Sequence, residues 1–350
     1  MLKKSLGKER LEKQRREIKF KDPIIFEKSV YALNLLSQMV RYYPNLIFKG
    51  GTAILLYIFP PIRFSIDIDI LLEEKEKEDL EQNLQRLVED SELFNSVEED
   101  TRESGIPKAH YKFYYNSEFS RMAEYVLLDI VFCNNPYYKL TEQNLNQHSL
   151  LYIDKAIKVK VPTPDGLFGD KMTAIAPNTI GIPLNESREM EFVKQVIDMG
   201  VLFNLLGDTE DVIKTFLKTV RIENQFRNAS YSPNEILDSI LDVAFKYSQS
   251  LLKRSNDNYP EIDYLNSGLK RVSNHLIGRY TQSDLKLSFA KIAYTCHVIR
   301  DKKRTEIIKT VDYQTIKDKR LKGKYQILES LKKTNPQAYF YWVLGFGQNV

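Results

Sequence analysis

The feature that most constrains this chain is residues 46–72, which combine a short apolar run, a glycine turn, an apolar helix-like segment and an acidic strand. The turn consists of Gly50, Gly51 and Thr52, directly after the apolar run. A glycine pair between a strand and a helix lets the backbone approach a phosphate, and a helix N-terminus favours negative charge. The turn is therefore a candidate phosphate-binding element, although a Gly-Gly pair alone is most often an ordinary turn.

Acidic residues occupy one face of the strand that follows the Pro-Pro turn. Side chains in a strand repeat every two residues, so Asp67 and Asp69 point the same way as Ser65, opposite a row of isoleucines. Two carboxylates on one face of an apolar strand repel each other and resist burial unless a cation lies between them. Alone, such acids usually form a solvated strand face. Together with the upstream glycine turn they predict a metal-dependent phosphoryl transferase.

A third carboxylate, Asp129, stands alone in the apolar run YVLLDIVF. A buried carboxylate without a partner is costly, so a single acid in such a strand is unusual. If this strand lies beside that of Asp67 and Asp69, the three acids can hold two divalent ions, and Asp129 can accept a proton from an attacking hydroxyl. The alternative is a strand-end acid without a chemical role.

The bulk composition narrows the class of protein. The chain has 350 residues, 43% hydrophobic and 28% charged, as expected of a soluble globular protein with two domains or one large one. Its apolar runs are shorter than the roughly 18–20 residues that span a bilayer, and its charged N-terminus lacks the apolar core of a signal peptide.

Cys133 and Cys296 form no metal-ligand spacing, so we expect a cytoplasmic protein without membrane contact. The four histidines also lack ligand spacing and are expected to be structural: His110, His148, His275 and His297.

Hydrophobic periodicity predicts a mixed sheet followed by helices. An amphipathic helix begins at Pro23, and strands are expected at 109–116 and 125–132, after a loop or hairpin entry at 95–108. Residues 155–161 alternate lysine with Ile and Val, which predicts a half-exposed edge strand. The aromatic tail is expected to pack back onto the body or to meet a partner. Six helices are expected beyond the strands, at 186–206, 208–226, 233–252, 260–276, 283–299 and 312–333.

A lysine on the helix after the last predicted strand is a further candidate. Lys171 follows an N-cap region that begins at Thr163. From this helix a lysine can reach a triphosphate as a point charge. Without other information, a surface lysine is the simpler interpretation.

The motif K-G-G-T followed by R-F-S-I-D-I-D resembles the nucleotidyltransferase toxins of the AbiEii/AbiGii (MenT-like) type, within the DNA polymerase β-like nucleotidyltransferase superfamily. Arg63 and Ser65 match the family's R-x-S-x-D-x-D. Ser65 shares the face of the aspartates, so it is a candidate for binding a phosphate oxygen or a metal-bound water. Arg63 is a candidate for bracing the site or a phosphate.

Two later segments are also similar to the family pattern. Lys171 lies where the family has D/E-K-L-x-A, and Arg188 precedes a segment similar to K-D-x-x-D-L. Lys194 and Asp198 match that second segment, whereas Gln195 replaces its usual acid and Met199 replaces its leucine. The resemblance implies that Asp198 positions Lys171 or binds the sugar of a nucleotide. It covers roughly residues 45–205.

The resemblance implies an α+β fold, in which a polymerase β-like nucleotidyltransferase core with a small mixed sheet precedes an all-α helical bundle. We place a nucleotidyltransferase domain at residues 1–205 and a helical domain at 206–350. The implied reaction moves an NMP from an NTP to an acceptor with Mg²⁺ or Mn²⁺ and loss of pyrophosphate. The implied acceptor is the 3′ end of tRNA, in a toxin–antitoxin or abortive-infection system with a cognate antitoxin protein.

Each candidate residue has an implied role. The catalytic and metal-binding carboxylates are Asp67, Asp69 and Asp129, with Lys171 as a catalytic cation. Candidates for binding the nucleotide and its phosphates are Gly50, Gly51, Thr52, Arg63, Ser65, Lys171, Lys194 and Asp198.

The sequence constrains the molecule that accepts the NMP less than it constrains the catalytic residues. Net charge is only +4, so an RNA-binding face would depend on a local cluster such as the basic residues within 300–325, for which a solvated face is an equal alternative. The same site can act on a protein hydroxyl or a small molecule. A non-catalytic protein that binds nucleotide or a partner on this fold is the remaining alternative, and an intact carboxylate triad argues against it.

Overall fold

The computed structural model describes residues 6–101, 107–151, 156–185, 187–252, 259–301 and 306–349, and its central element is a seven-stranded mixed sheet. The strands are β1 (Ile47–Lys49), β2 (Asp67–Leu72), β3 (Ser96–Glu99), β4 (Lys108–Asn116), β5 (Ala123–Phe132), β6 (Leu140–Asn144) and β7 (Lys158–Pro162). Their order in the sheet is β3-β4-β5-β2-β1-β7-β6, with β2 parallel to β5, β1 parallel to β7 and the other pairs antiparallel. The acidic strand β2 therefore lies at the middle of the sheet.

Strand alternation separates a buried face of the sheet from a half-exposed one. Ile68, Ile70 and Leu128 are completely buried, whereas Asp67 and Asp69 remain half-buried on the opposite face. Burial of branched apolar side chains stabilises this arrangement by about 1.5–3 kcal/mol per residue. The predicted alternation of β2 is confirmed.

Helix α2 (Pro23–Tyr42) packs against β2 and β5. It begins where predicted, because Pro23 occupies the first turn and the Asp22 side chain accepts hydrogen bonds from the backbone N–H groups of Ile24 and Ile25. Its buried stripe includes Phe26, Val30 and Leu33. The other helices of this part are α1 (Lys8–Glu17), α3 (Gly50–Ala53) and α4 (Leu80–Glu89).

The sheet differs from the predicted one at both edges. Residues 155–161 were expected to form an edge strand, but β7 lies between β1 and β6, with residue 155 outside the described residues. Its outward lysines have partners there, since Lys158 pairs with Glu142 on β6 and Lys160 donates to Asn45. Strand β3 lies within residues 95–108, expected to be a loop or hairpin entry, and pairs antiparallel with β4. Strand β6 was not predicted, because its short polar segment does not alternate clearly.

The described residues fall into two compact units. The first takes its residues from 1–135, 139–163 and 274–279, and the second from 136–138, 164–273 and 280–350. This division at 163/164 precedes the domain boundary predicted at 205/206, because helix α5 (Pro164–Ala174) packs against helices α6 (Glu189–Leu202) and α7 (Thr209–Phe226) of the second unit. The boundary at 205/206 stays a prediction.

The second unit is built of helices with well-formed ends. Capping boxes begin α8 (Pro233–Ser248) at Ser232 and α10 (Gln282–Arg300) at Thr281, each with an acidic partner three residues on. Helix α10 packs against α6, α8 and α12 (Pro336–Phe346). The helices after α5 are α6 (Glu189–Leu202), α7 (Thr209–Phe226), α8 (Pro233–Ser248), α9 (Pro260–Val272), α10 (Gln282–Arg300), α11 (Leu331–Thr334) and α12 (Pro336–Phe346).

The predicted helix 312–333 is wrong. The segment contains 3₁₀ turns at Tyr313–Ile316 and Gly323–Ser330, separated by the short strand β8 (Lys319–Arg320), which pairs with β9 (Gln348–Asn349). Gly323 has a φ of 59°, a left-handed conformation that ends regular helix.

The aromatic tail packs back as expected, since Trp342 is fully buried and its indole N–H donates to Ser248 Oγ at 3.1 Å. Within the described part of the chain, we find no helix both long and apolar enough to span a membrane.

Candidate active site

Two of the predicted carboxylates lie side by side on neighbouring strands. In the register of the sheet, Asp69 on β2 pairs with Asp129 on β5, and Asp129 in turn pairs with His110 on β4. On its other side Asp69 pairs with Lys49 on β1. Neighbouring strands lie about 4.8 Å apart, so each of these four residues lies close to the next one in the row. Asp67 lies on the same face, two residues before Asp69.

The glycine turn lies directly against the Asp69 carboxylate. Gly50 has a φ of 79°, and a Cβ added there would overlap Asp69 Oδ2. Only a glycine combines this backbone conformation with so close an approach. The turn is tied to the acidic strand by fully buried Thr52, whose Oγ1 donates to the backbone carbonyl of Asp67 at 2.5 Å. The predicted turn and the predicted acidic strand are therefore in contact.

Arg63 and Ser65 lie against the second glycine of the turn. A Cβ added to Gly51 would overlap the Arg63 guanidinium and lie 3.2 Å from Ser65 Oγ. The Arg63 side chain is buried, and its Nη1 donates to the carbonyl of Phe64 at 3.3 Å. A buried cation and a hydroxyl beside a glycine turn are suited to binding an anion such as a phosphate.

The loop that carries Arg63 is held by residues distant in sequence. Its backbone pairs with that of Leu276 in an antiparallel bridge, and the N–H of Phe64 donates to the carbonyl of His275 at 2.8 Å. The hydroxyl of Ser29 donates to the carbonyl of Ser65 at 2.7 Å. Residues 274–279 belong to the first unit, so this part of the chain returns to the sheet to support the loop.

His110 was expected to be structural without reference to the site, but it lies against the candidate base. Its Nδ1 is 2.5 Å from Asp129 Oδ1, and both side chains are largely buried. Strand alternation could have placed His110 on one face of β4. Its partner on β5 depends on the strand register, which the sequence does not determine without the hairpin geometry.

Lys171, Lys194 and Asp198 lie in the second unit. Lys171 on α5 is buried, with its Nζ 3.0 Å from Asp198 Oδ2 on α6 and 2.7 Å from Gln195 Oε1. Gln195, the departure from the family pattern, thus retains an acceptor for the lysine while contributing no charge. Lys194 is half-buried on the same helix. This geometry favours Asp198 as a group that positions Lys171.

The structure therefore divides the predicted residues between the two units. One set lies in the first unit, around the turn and the acidic strands. Its members are Gly50, Gly51, Thr52, Arg63, Ser65, Asp67, Asp69 and Asp129, and the second unit holds Lys171, Lys194 and Asp198.

The donor chemistry of the first set suits a hard divalent cation. Mg²⁺ and Mn²⁺ prefer carboxylate oxygens, which Asp67, Asp69 and Asp129 offer at neighbouring register positions. Gly50 leaves the space that the Asp69 carboxylate needs. Among the residues that the structure describes, no three His, Cys, Asp or Glu side chains are already arranged as a metal-binding group. Binding would require the carboxylates to adjust.

Comparison with known proteins gives one matching family model and several similar solved structures. The family model described as "Nucleotidyl transferase AbiEii toxin, Type IV TA system" matches residues 34–264, well over half of the chain. No curated protein sequence matches the chain.

Two solved structures are similar to this one. JHP933 from Helicobacter pylori has 12% sequence identity and a TM-score of 0.46, covering 79% of this chain and 93% of its own. The nucleotidyltransferase toxin MenT4 from Mycobacterium tuberculosis has 10% identity and a TM-score of 0.46, covering 91% of this chain and 94% of its own.

Proposed function

The chain belongs to the AbiEii family of nucleotidyl transferase toxins of type IV toxin–antitoxin systems, and on this premise we propose that it transfers an NMP from an NTP to the 3′ end of tRNA. The observation on which this proposal depends is the contact between the glycine turn at Gly50 and the row that contains Asp69 and Asp129. A backbone that admits a phosphate and carboxylates that can hold a cation are the two requirements of phosphoryl transfer.

The first unit supplies groups for each part of the transfer. Gly51, Arg63 and Ser65 bind phosphate oxygens of the NTP, because a buried guanidinium and a hydroxyl lie at the glycine turn. Asp67, Asp69 and Asp129 are the ligands for Mg²⁺ or Mn²⁺. When bound, such an ion neutralises charge that develops on the transferred phosphoryl group and on the pyrophosphate.

The chemical step replaces a phosphoanhydride bond of the NTP with a phosphodiester bond to the acceptor. The acceptor hydroxyl oxygen forms a bond to the α-phosphorus, and the bond from that phosphorus to the bridging oxygen of the β-phosphate breaks, so pyrophosphate leaves. Asp129 accepts the hydroxyl proton as general base. In the second unit, Lys171 binds a phosphate oxygen as a point charge, Asp198 positions it, and Lys194 contributes to nucleotide binding.

The cluster of basic residues between positions 302 and 324 supports RNA as the acceptor. Its cations can release counterions from a phosphate backbone. Three already donate to backbone carbonyls, Lys309 to that of Leu206, Arg320 to those of Lys317 and Lys319, and Lys322 to that of Asn349. The described basic residues are Lys309, Lys317, Lys319, Arg320, Lys322 and Lys324, and the predicted Lys302, Lys303 and Arg304 lie outside the described residues.

The test is incubation of the purified protein with total tRNA, Mg²⁺ and each labelled NTP in turn. We expect label on tRNA with at least one NTP, and none with Asp69→Ala. Circular dichroism of that variant controls for folding. Label on added protein or on a small molecule, and not on tRNA, would replace the acceptor while keeping the reaction. Absence of transfer to any acceptor, with NTP binding retained, would favour a non-catalytic nucleotide-binding protein.

A further inference from the structure

His110 and Asp129 form a close pair on the face of the sheet that carries the candidate site. They are directly opposite in the β4–β5 register, and His110 Nδ1 lies 2.5 Å from Asp129 Oδ1. The exposed fractions of the two side chains are 14% and 26%. The pair is thus shielded enough for its hydrogen bond to fix geometry, yet Asp129 is still reached by solvent.

The chemistry of this contact assigns the donor. An ionised carboxylate only accepts hydrogen bonds, so the imidazole Nδ1 carries the hydrogen and donates it to Oδ1. One oxygen of Asp129 is then engaged by the histidine, and the carboxylate cannot rotate freely about its Cβ–Cγ bond. Groups that hydrogen-bond to metal-ligating or catalytic carboxylates commonly orient them in this way.

We propose that His110 is a positioning residue, whose Nδ1–H holds Asp129 Oδ1 so that Oδ2 is presented to a divalent cation shared with Asp69. This inference rests on the proposed function, since it assigns Asp129 to the metal site. His110 acts through Asp129 and does not itself touch the reacting atoms. What it contributes is a donor at one fixed point in space, and a side chain with a donor at the same point can replace it.

Three substitutions separate this role from general packing. Asparagine places its amide nitrogen close to where Nδ1 lies, glutamine places it close to Nε2, and alanine has no donor. The probe is Mn²⁺ alone, titrated into the full-length protein and followed through the electron paramagnetic resonance signal of the free ion. We expect His110→Asn to bind Mn²⁺ within a few-fold of wild type. We expect His110→Gln and His110→Ala to bind it about 10–100-fold more weakly.

The kinetics should follow the same order. In the tRNA-labelling reaction we expect the rate at saturating NTP to fall in His110→Gln and His110→Ala and to be largely restored in His110→Asn. The KM for NTP should change little in all three. Thermal midpoints are measured alongside, and His297→Asn, a change in the second unit, is the control for replacing a histidine.

The outcomes distinguish this inference from the proposed function. Equal Mn²⁺ affinity of the asparagine and glutamine variants, whether both high or both low, overturns the positioning role even if wild type labels tRNA. Unchanged Mn²⁺ affinity in Asp129→Asn also overturns it, because Asp129 is then no ligand. The expected order of Mn²⁺ affinities in a protein that labels no acceptor would support the positioning role and count against nucleotidyl transfer.

Discussion

Gly50 determines how closely the turn approaches the candidate carboxylates. Its φ of 79° and its contact with Asp69 Oδ2 are separate requirements, since the first concerns the backbone and the second concerns space for a side chain. Gly323 has a φ of 59°, and a Cβ added there would meet no atom within 4 Å. Gly323 therefore shares the left-handed backbone conformation of Gly50, but it has no neighbouring atom that a Cβ would overlap.

These two glycines allow a matched experiment. Alanine at Gly323 should lower the free energy of unfolding by about 1 kcal/mol, the cost of a left-handed conformation. Alanine at Gly50 should lower it further, because its Cβ would also overlap the Asp69 carboxylate. Only Gly50→Ala should displace the Asp69 carboxylate, so we expect NMP transfer to fall at least about 100-fold in Gly50→Ala and to remain near wild type in Gly323→Ala. Denaturant titration and labelling assays measure the two effects. Near-normal transfer by Gly50→Ala would show that the close approach of the turn to the Asp69 carboxylate is not required for the reaction.

Lys286 gives a prediction about pH. Its side chain is buried and donates to the carbonyl of Ser250, and burial lowers the pKa of this ammonium from 10.5 to about 8. Between pH 8 and 10.5 the unfolded chain therefore binds more protons at this site than the folded one, so the contribution of Lys286 to stability rises with pH across that window.

The corresponding test is Lys286→Met. The lowered pKa corresponds to a cost of about 3 kcal/mol for keeping this lysine charged in the folded protein below pH 8. We therefore expect the variant to be more stable than the wild type at pH 7, with the difference shrinking towards pH 10. Urea titrations of both proteins at the two pH values measure it. A difference that grows with pH would contradict the assignment.

At the level of single residues, the sequence predicted which strand face a side chain lies on better than it predicted which residue that side chain contacts. Strand alternation placed Asp67 and Asp69 on one face, and an acid in an apolar run singled out Asp129, because both signals are local. That Asp129 meets His110 follows from strand register, which long-range packing decides. The same reason explains Arg63, whose backbone partner Leu276 lies far along the chain.

Among the secondary-structure elements, α5 and α6 are joined by a buried ion pair. Lys171 Nζ and Asp198 Oδ2 are 3.0 Å apart, and each side chain is 4% exposed. Removing one member of such a pair leaves an uncompensated buried charge, at a cost of about 3–5 kcal/mol, whereas replacing both with apolar side chains is often neutral. Structural and chemical roles of this lysine can therefore be separated.

We expect Lys171→Met alone to lose both stability and NMP transfer. The double variant Lys171→Met with Asp198→Leu should regain most of the lost free energy of unfolding while transfer stays low, because no cation is restored. Chemical denaturation and labelling assays on the two single variants and the double one complete the cycle. A stable double variant with normal transfer would show that Lys171 has only a structural role.

Long elements with strong periodicity were predicted well, and short or irregular ones were not. Pro23–Tyr42 and the β4–β5 hairpin have clear apolar repeats and appear where expected. Segment 312–333 has apolar residues at nearly helical intervals, but Gly323 and the pairing of β8 with β9 interrupt it. Strand β6 has no local signal, since its pairing with β7 supplies the hydrogen bonds that define it.

On the scale of the whole molecule, the first unit is discontinuous in sequence. Residues 274–279 belong to it and pair with residues 62–64, whereas the chain on either side of them belongs to the second unit. A continuous fragment that stops before residue 274 therefore lacks part of the first unit. This applies to the nucleotidyltransferase domain predicted at residues 1–205.

We expect the fragment 1–205 to unfold at a much lower temperature than the full chain, or without a cooperative transition. It lacks the backbone bonds of Phe64 and Ile62 to residues 275–277, and α5 loses the helix α7 against which it packs. Thermal melts followed by circular dichroism compare the two proteins. A fragment that melts cooperatively at the midpoint of the full chain would instead support a domain boundary at 205/206.

Because residues 274–279 belong to the first unit, that unit is completed late in synthesis. A ribosome adds about 5–20 residues per second, so roughly 10–40 s separate the synthesis of Arg63 from that of its bridge partner Leu276. Throughout that interval a nascent chain holds the glycine turn and the acidic strand but lacks the segment that secures the loop between them. We expect the candidate site of each new molecule to mature only after Leu276 has left the ribosome.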